Sequence, residues 1–253
     1  MLWVLLFTML FSGNSHTTLF LTPNLKKNVK TYVVDKERQK EIFSIMKDSK
    51  KRQKQFVKIR KKYIKESTKL NTDRSTTREQ YNEIMPEYFE ARQEIHAFSI
   101  SNEMAMKNIT TEEEWNNIVN AVLKAPSKSK VKDKATSSNN KNFNRIIQAC
   151  EKIITDKNRK DKALQAIDSY RNKVDETLPF FIEWSYKDWE SIRDYDAKKE
   201  DYEAIDSQLQ ELRNELWIAF LDTRFQLLEN TNEMEWKQII KDFNRIIKFD
   251  VID

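Results

Sequence analysis

The chain has 253 residues, with 45 Lys and Arg against 40 Asp and Glu and a net charge of +5. It holds one Gly and four Pro, which excludes sheet architectures built on tight hairpins and the glycine-rich loops that cradle phosphates. The two His, His16 and His96, cannot make a His-rich metal site, and the lone Cys150 cannot form an intrachain disulfide.

Residues 2–11 form an apolar run followed by Ser12, Gly13, Asn14 and Ser15. Length and flank fit the core of a signal peptide and fall short of the roughly 20 residues of a transmembrane helix. No Lys or Arg precedes the run, and Leu19-Phe20-Leu21 offers a second apolar patch before Pro23. Residues 1–28 are read as the N-terminal segment of an extracytoplasmic protein, periplasmic or secreted, with membrane association only through this segment.

Apolar residues at three and four spacings predict helix from about Val29 to Leu70: Ile42, Ile45, Met46, Phe56, Ile59, Tyr63 and Ile64. Its centre, Lys47 to Gln55, is almost wholly polar. Between Lys30 and Lys69 stand 15 Lys or Arg against five Asp or Glu, and these cations are read as surrounding the helix. Residues 71–77 read as a turn ending in a Thr76 or Thr77 cap, with Glu79 and Gln80 placed for a capping box. A second helix is expected over 78–106, kinked near Pro86. Thr110 then opens a short third helix to about Leu123, with Glu112, Glu113 and Glu114 suiting its positive end and Trp115, Ile118, Val119 and Val122 on its apolar face. Asn108-Ile109-Thr110 is also a glycosylation triplet.

Residues 125–141, rich in Lys, Ser and Asn, read as an exposed linker. A second unit follows. Phe143, Ile146, Ile147, Cys150 and Ile154 begin a helix that Pro179 is expected to interrupt. Phe180, Phe181, Trp184 and Trp189 form an aromatic group after it. An acidic helix is expected over 198–228; from Glu183 to Trp236 the chain has 15 Asp or Glu against six Lys or Arg. A last helix is expected over 233–249.

The two units correspond at an offset of 121 residues. Arg92, Glu94, Thr110, Trp115 and Ile118 recur as Arg213, Glu215, Thr231, Trp236 and Ile239, and 15 of 91 aligned pairs between 33–123 and 154–244 are identical. The expected fold is all-α: a tandem duplicated unit, each copy a long antiparallel hairpin plus a short Trp-bearing helix, in an elongated bundle. The copies are placed at 29–124 and 142–253.

Arg92, Glu94, Thr110, Trp115, Arg213, Glu215, Thr231 and Trp236 are candidates for a repeated corner. They serve either a binding surface with Trp anchors or, the reading preferred here, a helix-capping lock. Phe180, Phe181, Trp184 and Trp189 are a candidate aromatic patch. No catalytic, cofactor-binding or metal residues are assigned. The di-iron bundle pattern needs Glu-x-x-His, and position 93, three before His96, is Gln. His96 aligns with Trp217, which suggests packing, and Cys150 sits on an apolar stripe. The expected function is a non-enzymatic exported scaffold or chaperone-like binder with an unidentified protein partner, with a homodimer also considered. The alternative is an intracellular basic-helix binder of nucleic acid or anionic membrane, with nucleic acid the less favoured ligand.

Overall fold

The computed structural model describes residues 24–122 and 128–247, together with Leu19, Phe20 and Thr22. The expected export segment and the tips of the final helix and linker lie largely outside these residues. The described chain is an all-α bundle of eight helices in the order α1 (Leu25–Tyr32), α2 (Lys36–Thr72), α3 (Arg78–Ile109), α4 (Glu112–Val122), α5 (Lys128–Ile153), α6 (Lys157–Arg193), α7 (Lys199–Glu229) and α8 (Glu233–Ile247).

The long helices pair as antiparallel hairpins, α2 with α3 and α6 with α7, and the hairpins meet through α3 and α7. Each short Trp-bearing helix reaches across: α4 packs on α1 and α6, α8 on α5 and α2. The main core runs from Phe56, Tyr63 and Tyr88 through Tyr170, Leu216 and Phe220 to Trp236 and Phe243. A smaller core gathers Leu19, Leu25, Val29, Ile42, Met106, Trp115, Ile118 and Ile192 around α1 and α4.

Four features differ from the sequence expectation. The helix expected from Val29 breaks at residues 33–35, and Asp35 caps a new start by accepting from the Arg38 amide at 2.8 Å. Asp156 does the same for Arg159 at 2.8 Å, splitting the first helix of the second unit. Asp is a strong N-cap because its carboxylate accepts from amides that no carbonyl reaches. The expected linker is helical from Lys128 onward. Pro179 lies inside an unbroken α6; packing against α4, α5 and α7 offsets the loss of one backbone bond. Through the polar centre of α2 the buried stripe is Ser49 and Gln53; Asn102 donates to the Ser49 hydroxyl at 2.8 Å.

Candidate functional site

The corner begins with a capping box. The Thr111 amide donates to Glu114 Oε2 at 2.9 Å, and the Glu114 amide donates to Thr111 Oγ1 at 3.2 Å. At the other corner Asn232 and Glu235 exchange the same bonds at 2.7 and 2.9 Å. The cap is thus Thr111, not Thr110. The Thr110 and Thr231 hydroxyls turn back and donate to Met106 O at 2.9 Å and Leu227 O at 2.7 Å, closing the preceding helices.

Each capping Glu also receives a forked guanidinium. Arg38 reaches Glu114 at 2.6 and 2.9 Å, and Arg159 reaches Glu235 at 2.6 and 3.2 Å. Two parallel charge-assisted bonds fix both position and orientation. Burial pushes the Glu114 carboxyl up, but the Arg38 and Thr111 bonds outweigh it and hold it below its ordinary value. The Arg159 bond does the same for Glu235.

The tryptophans cross between the hairpins. Trp115 Nε1 donates to Ile192 O at 2.9 Å, at the end of α6, and Trp236 Nε1 donates to Thr72 O at 3.0 Å, at the end of α2. The last carbonyls of a helix lack internal partners, so a buried helix end needs donors from elsewhere. A cation beside each Trp supplies more. Lys107 Nζ donates to Ser191 O at 3.4 Å and Asp194 O at 2.5 Å. Arg224 donates to Leu70 O at 3.2 Å and Asp73 O at 2.7 Å. Those two acceptor pairs stand 121 residues apart, although the two cations do not. Lys107 lies 5.4 Å from the Trp115 ring centre and Arg224 lies 5.5 Å from that of Trp236.

A return contact completes each end. The Tyr195 hydroxyl donates to Lys107 O at 2.9 Å or Thr110 O at 2.7 Å. Arg74 donates to Leu228 O at 3.1 Å and Thr231 Oγ1 at 3.2 Å. Lys107, Arg224, Arg74 and Tyr195 escape the sequence reading. The available signal was a charged residue on an otherwise apolar stripe, as with Lys107 after Met106 and Arg224 before Phe225.

Arg92 and Arg213 are not at these corners. Both are buried at mid-bundle between α3 and α7. Arg92 donates to Gln210 Oε1 at 2.6 Å and lies 3.6 Å from Asp206; His96 Nδ1 stands 3.0 Å from Asp206. Burial pushes the Asp206 carboxyl up, yet the bond and charge of His96, with Arg92 and Arg213, hold it well below the usual carboxylate range. Burial, reinforced by Arg92, lowers Arg213. A shallow cleft of about 540 Å³ opens over this group, lined by His96, Asp206, Gln210, Glu203 and Glu211 among others. Glu94 and Glu215 are exposed, the latter 2.6 Å from Lys173. The eight corner candidates therefore separate into a corner set (Thr110, Trp115, Thr231, Trp236), a buried mid-bundle pair (Arg92, Arg213) and two surface carboxylates.

The aromatic group is not one patch. Phe180 is exposed, Phe181 is buried in the main core, Trp184 packs against that core and Trp189 packs against the smaller one. A helix turns about 100° per residue, so neighbours in sequence leave in different directions. Cys150 is buried, and burial raises its thiol to about 12. Among the described residues no group of three or more His, Cys, Asp or Glu converges on a metal position, and no helix is long and apolar enough to cross a membrane. No protein-family model, curated protein or solved structure matches the chain.

Proposed function

We propose that the chain is a tandem duplication forming one helical scaffold, and that this scaffold is exported, non-enzymatic and works by binding a protein partner. The observation that carries it is the reciprocal clasp: each unit's Trp closes the last turn of the other unit's long helix. The duplication is further supported by α2 and α6, which are both 37 residues long and start 121 residues apart. The same offset relates the two Asp caps, the two Arg–Glu forks and the carbonyl acceptors Leu70 with Ser191 and Asp73 with Asp194.

What supports a binding role is where the polar groups go. Arg38, Arg74, Lys107, Arg159 and Arg224 direct their donors at capping carboxylates and helix ends inside the frame. Recognition is then left to the outer helix faces. Among the described residues, the exposed large apolar side chains are Phe180, Ile218 and Met234 on the helices and Val34 in the break before α2, single residues far apart in sequence.

The test has two parts. N-terminal sequencing of the mature protein should start near residues 15–20; a start at Met1 removes export. Cross-linking in intact cells should capture one discrete protein, or a second copy of the chain, and Phe180→Ser, Ile218→Ser or Met234→Ser should abolish the product in at least one case. Substituting exposed residues leaves folding intact, so a product that ignores all three refutes the use of these faces.

A further inference from the structure

With α2 fixed at Lys36–Thr72, its lysines fall into a line. Lys36, Lys40, Lys47, Lys51, Lys54, Lys58, Lys61, Lys65 and Lys69 recur at three and four spacings, with a single gap filled by Phe43 and Ser44. At about 100° and 1.5 Å per residue, they lie within about 40° of one another's mean direction over about 50 Å. All nine are exposed, opposite the buried Ile42, Ser49, Phe56 and Tyr63. The line contains no Arg: Arg52 lies off it, over the Phe98 ring at 5.5 Å. The cations therefore do not surround the helix evenly, as the pooled count of Lys and Arg suggested.

The matching positions of α6 are otherwise built. Only Lys157 keeps a lysine; Asp161, Asp168, Asn172, Asp175, Pro179, Ile182, Tyr186 and Glu190 occupy the rest. A charged face that the packing of such a helix does not require points to a ligand.

We propose that the outer face of α2 docks flat on an anionic lipid surface. This goes beyond the protein-binding reading and does not depend on it. Three features favour a bilayer over nucleic acid. A straight row about 50 Å long meets a plane along its whole length, whereas duplex phosphates curve away from it. Lysine is a compact point charge suited to a diffuse anionic surface, while Arg is the residue of bidentate phosphate and base contacts. Single strands need aromatic platforms for stacking, and Phe43 alone interrupts the row.

Phe43 also marks a lipid-like detail. Beside it, between α1 and α2, is a cleft of about 600 Å³ with Phe43 and Met46 on its floor and five lysines around it, Lys26, Lys47, Lys50, Lys51 and Lys54, against one carboxylate, Asp48. Lys26 stands 5.2 Å from the Phe43 ring centre. A negative head group over an apolar floor is the chemistry this cleft fits. The apolar run of residues 2–11 precedes α1, the helix that forms the cleft's other wall.

The test is vesicle flotation of the full chain. Vesicles of phosphatidylcholine are compared with vesicles in which about a third of the lipid is phosphatidylglycerol. The variant K47Q/K51Q/K54Q/K58Q removes four charges from the row; K198Q/K199Q/K237Q/K241Q removes four exposed charges elsewhere and serves as the control. Circular dichroism and melting check that both fold. Each lysine near an anionic surface is worth roughly fivefold in affinity. The row variant should therefore bind anionic vesicles at least about a hundredfold more weakly, the control much less so, and binding should fall with added salt. Equal binding to neutral vesicles, or equal loss in both variants, overturns the proposal. So does duplex DNA of mixed sequence binding more tightly than the vesicles in a manner that requires the row.

Discussion

The two ends of the bundle solve one problem with different residues. At each, the last carbonyls of a 37-residue helix are buried under a Trp and need a cation. At the α6 end the cation is Lys107, with Glu103 at 3.3 Å and the Tyr202 hydroxyl at 2.6 Å. At the α2 end it is Arg224, whose counterpart 121 residues earlier is Glu103; the counterpart of Lys107 is Leu228. The cation has moved by one helical turn while the carbonyls it serves have kept their places. The lesson is that the unsatisfied acceptor is the fixed quantity, and any donor that reaches it from the same helix face will do.

The ends also differ in what lies beneath. Trp236 belongs to the main core, Trp115 to the smaller one around α1 and α4. The largest effect should come from removing them. Trp236→Ala and Trp115→Ala should each cost about 3–5 kcal/mol in urea unfolding, with Trp236→Ala lowering the midpoint of the whole transition. Trp115→Ala should instead split off an early transition of α1 and α4. A single, identical transition for both would erase the distinction between the ends.

The next effect tests the exchange of cations. Lys107→Leu takes the donor from the Asp194 carbonyl and removes the cation beside the buried Glu103 carboxylate, at a cost of about 3–5 kcal/mol. Adding Glu103→Arg rebuilds the other end's arrangement and should restore at least half of the lost stability. No recovery would show that the two clasps are not interchangeable.

A smaller effect is acid sensitivity. Glu114, Glu235 and Asp206 have folded values held below their ordinary 4.5, 4.5 and 3.8. A depressed carboxyl contributes stability above its unfolded value and loses it as pH falls through the folded one. Thermal stability should therefore decline as pH drops below about 4.5. Arg38→Ala should flatten that decline for the α1–α4 end and Arg159→Ala for the main core. The smallest effect is on Cys150, which shares a core with Trp236. Native labelling by a thiol reagent should be slow and should quicken in Trp236→Phe but not in Trp115→Phe.

Much of the fold was legible because helix signals are local. Spacing placed the long helices, and the repeated string Thr-x-x-x-Glu-Trp marked the corners. The breaks at Asp35 and Asp156 were harder, since the apolar period passes through both and only the cap shows them. Residues 128–139 carry no apolar period, so nothing local announces their helix. For the corner, the pairing of Thr110 with Trp115 was readable as a repeated string, but Lys107, Arg224, Arg74 and Tyr195 act on carbonyls more than 80 residues away in sequence. Arg92 and Arg213 share the 121-residue offset without sharing the corner, because a common offset in sequence says nothing of proximity. The lysine row of α2 was present in the spacing and obscured by counting its off-row Arg and Lys together.

The central claim is that each unit closes the other. Amide exchange in Trp115→Phe and Trp236→Phe, which keep an aromatic ring and remove the N–H donor, tests it most directly. Loss of one buried hydrogen bond is worth roughly 1 kcal/mol, enough to speed local exchange severalfold. Trp236→Phe should accelerate residues 69–73 at the end of α2 and spare 190–194; Trp115→Phe should do the reverse. If each substitution loosens only the last turn of its own unit's long helix, the account is wrong.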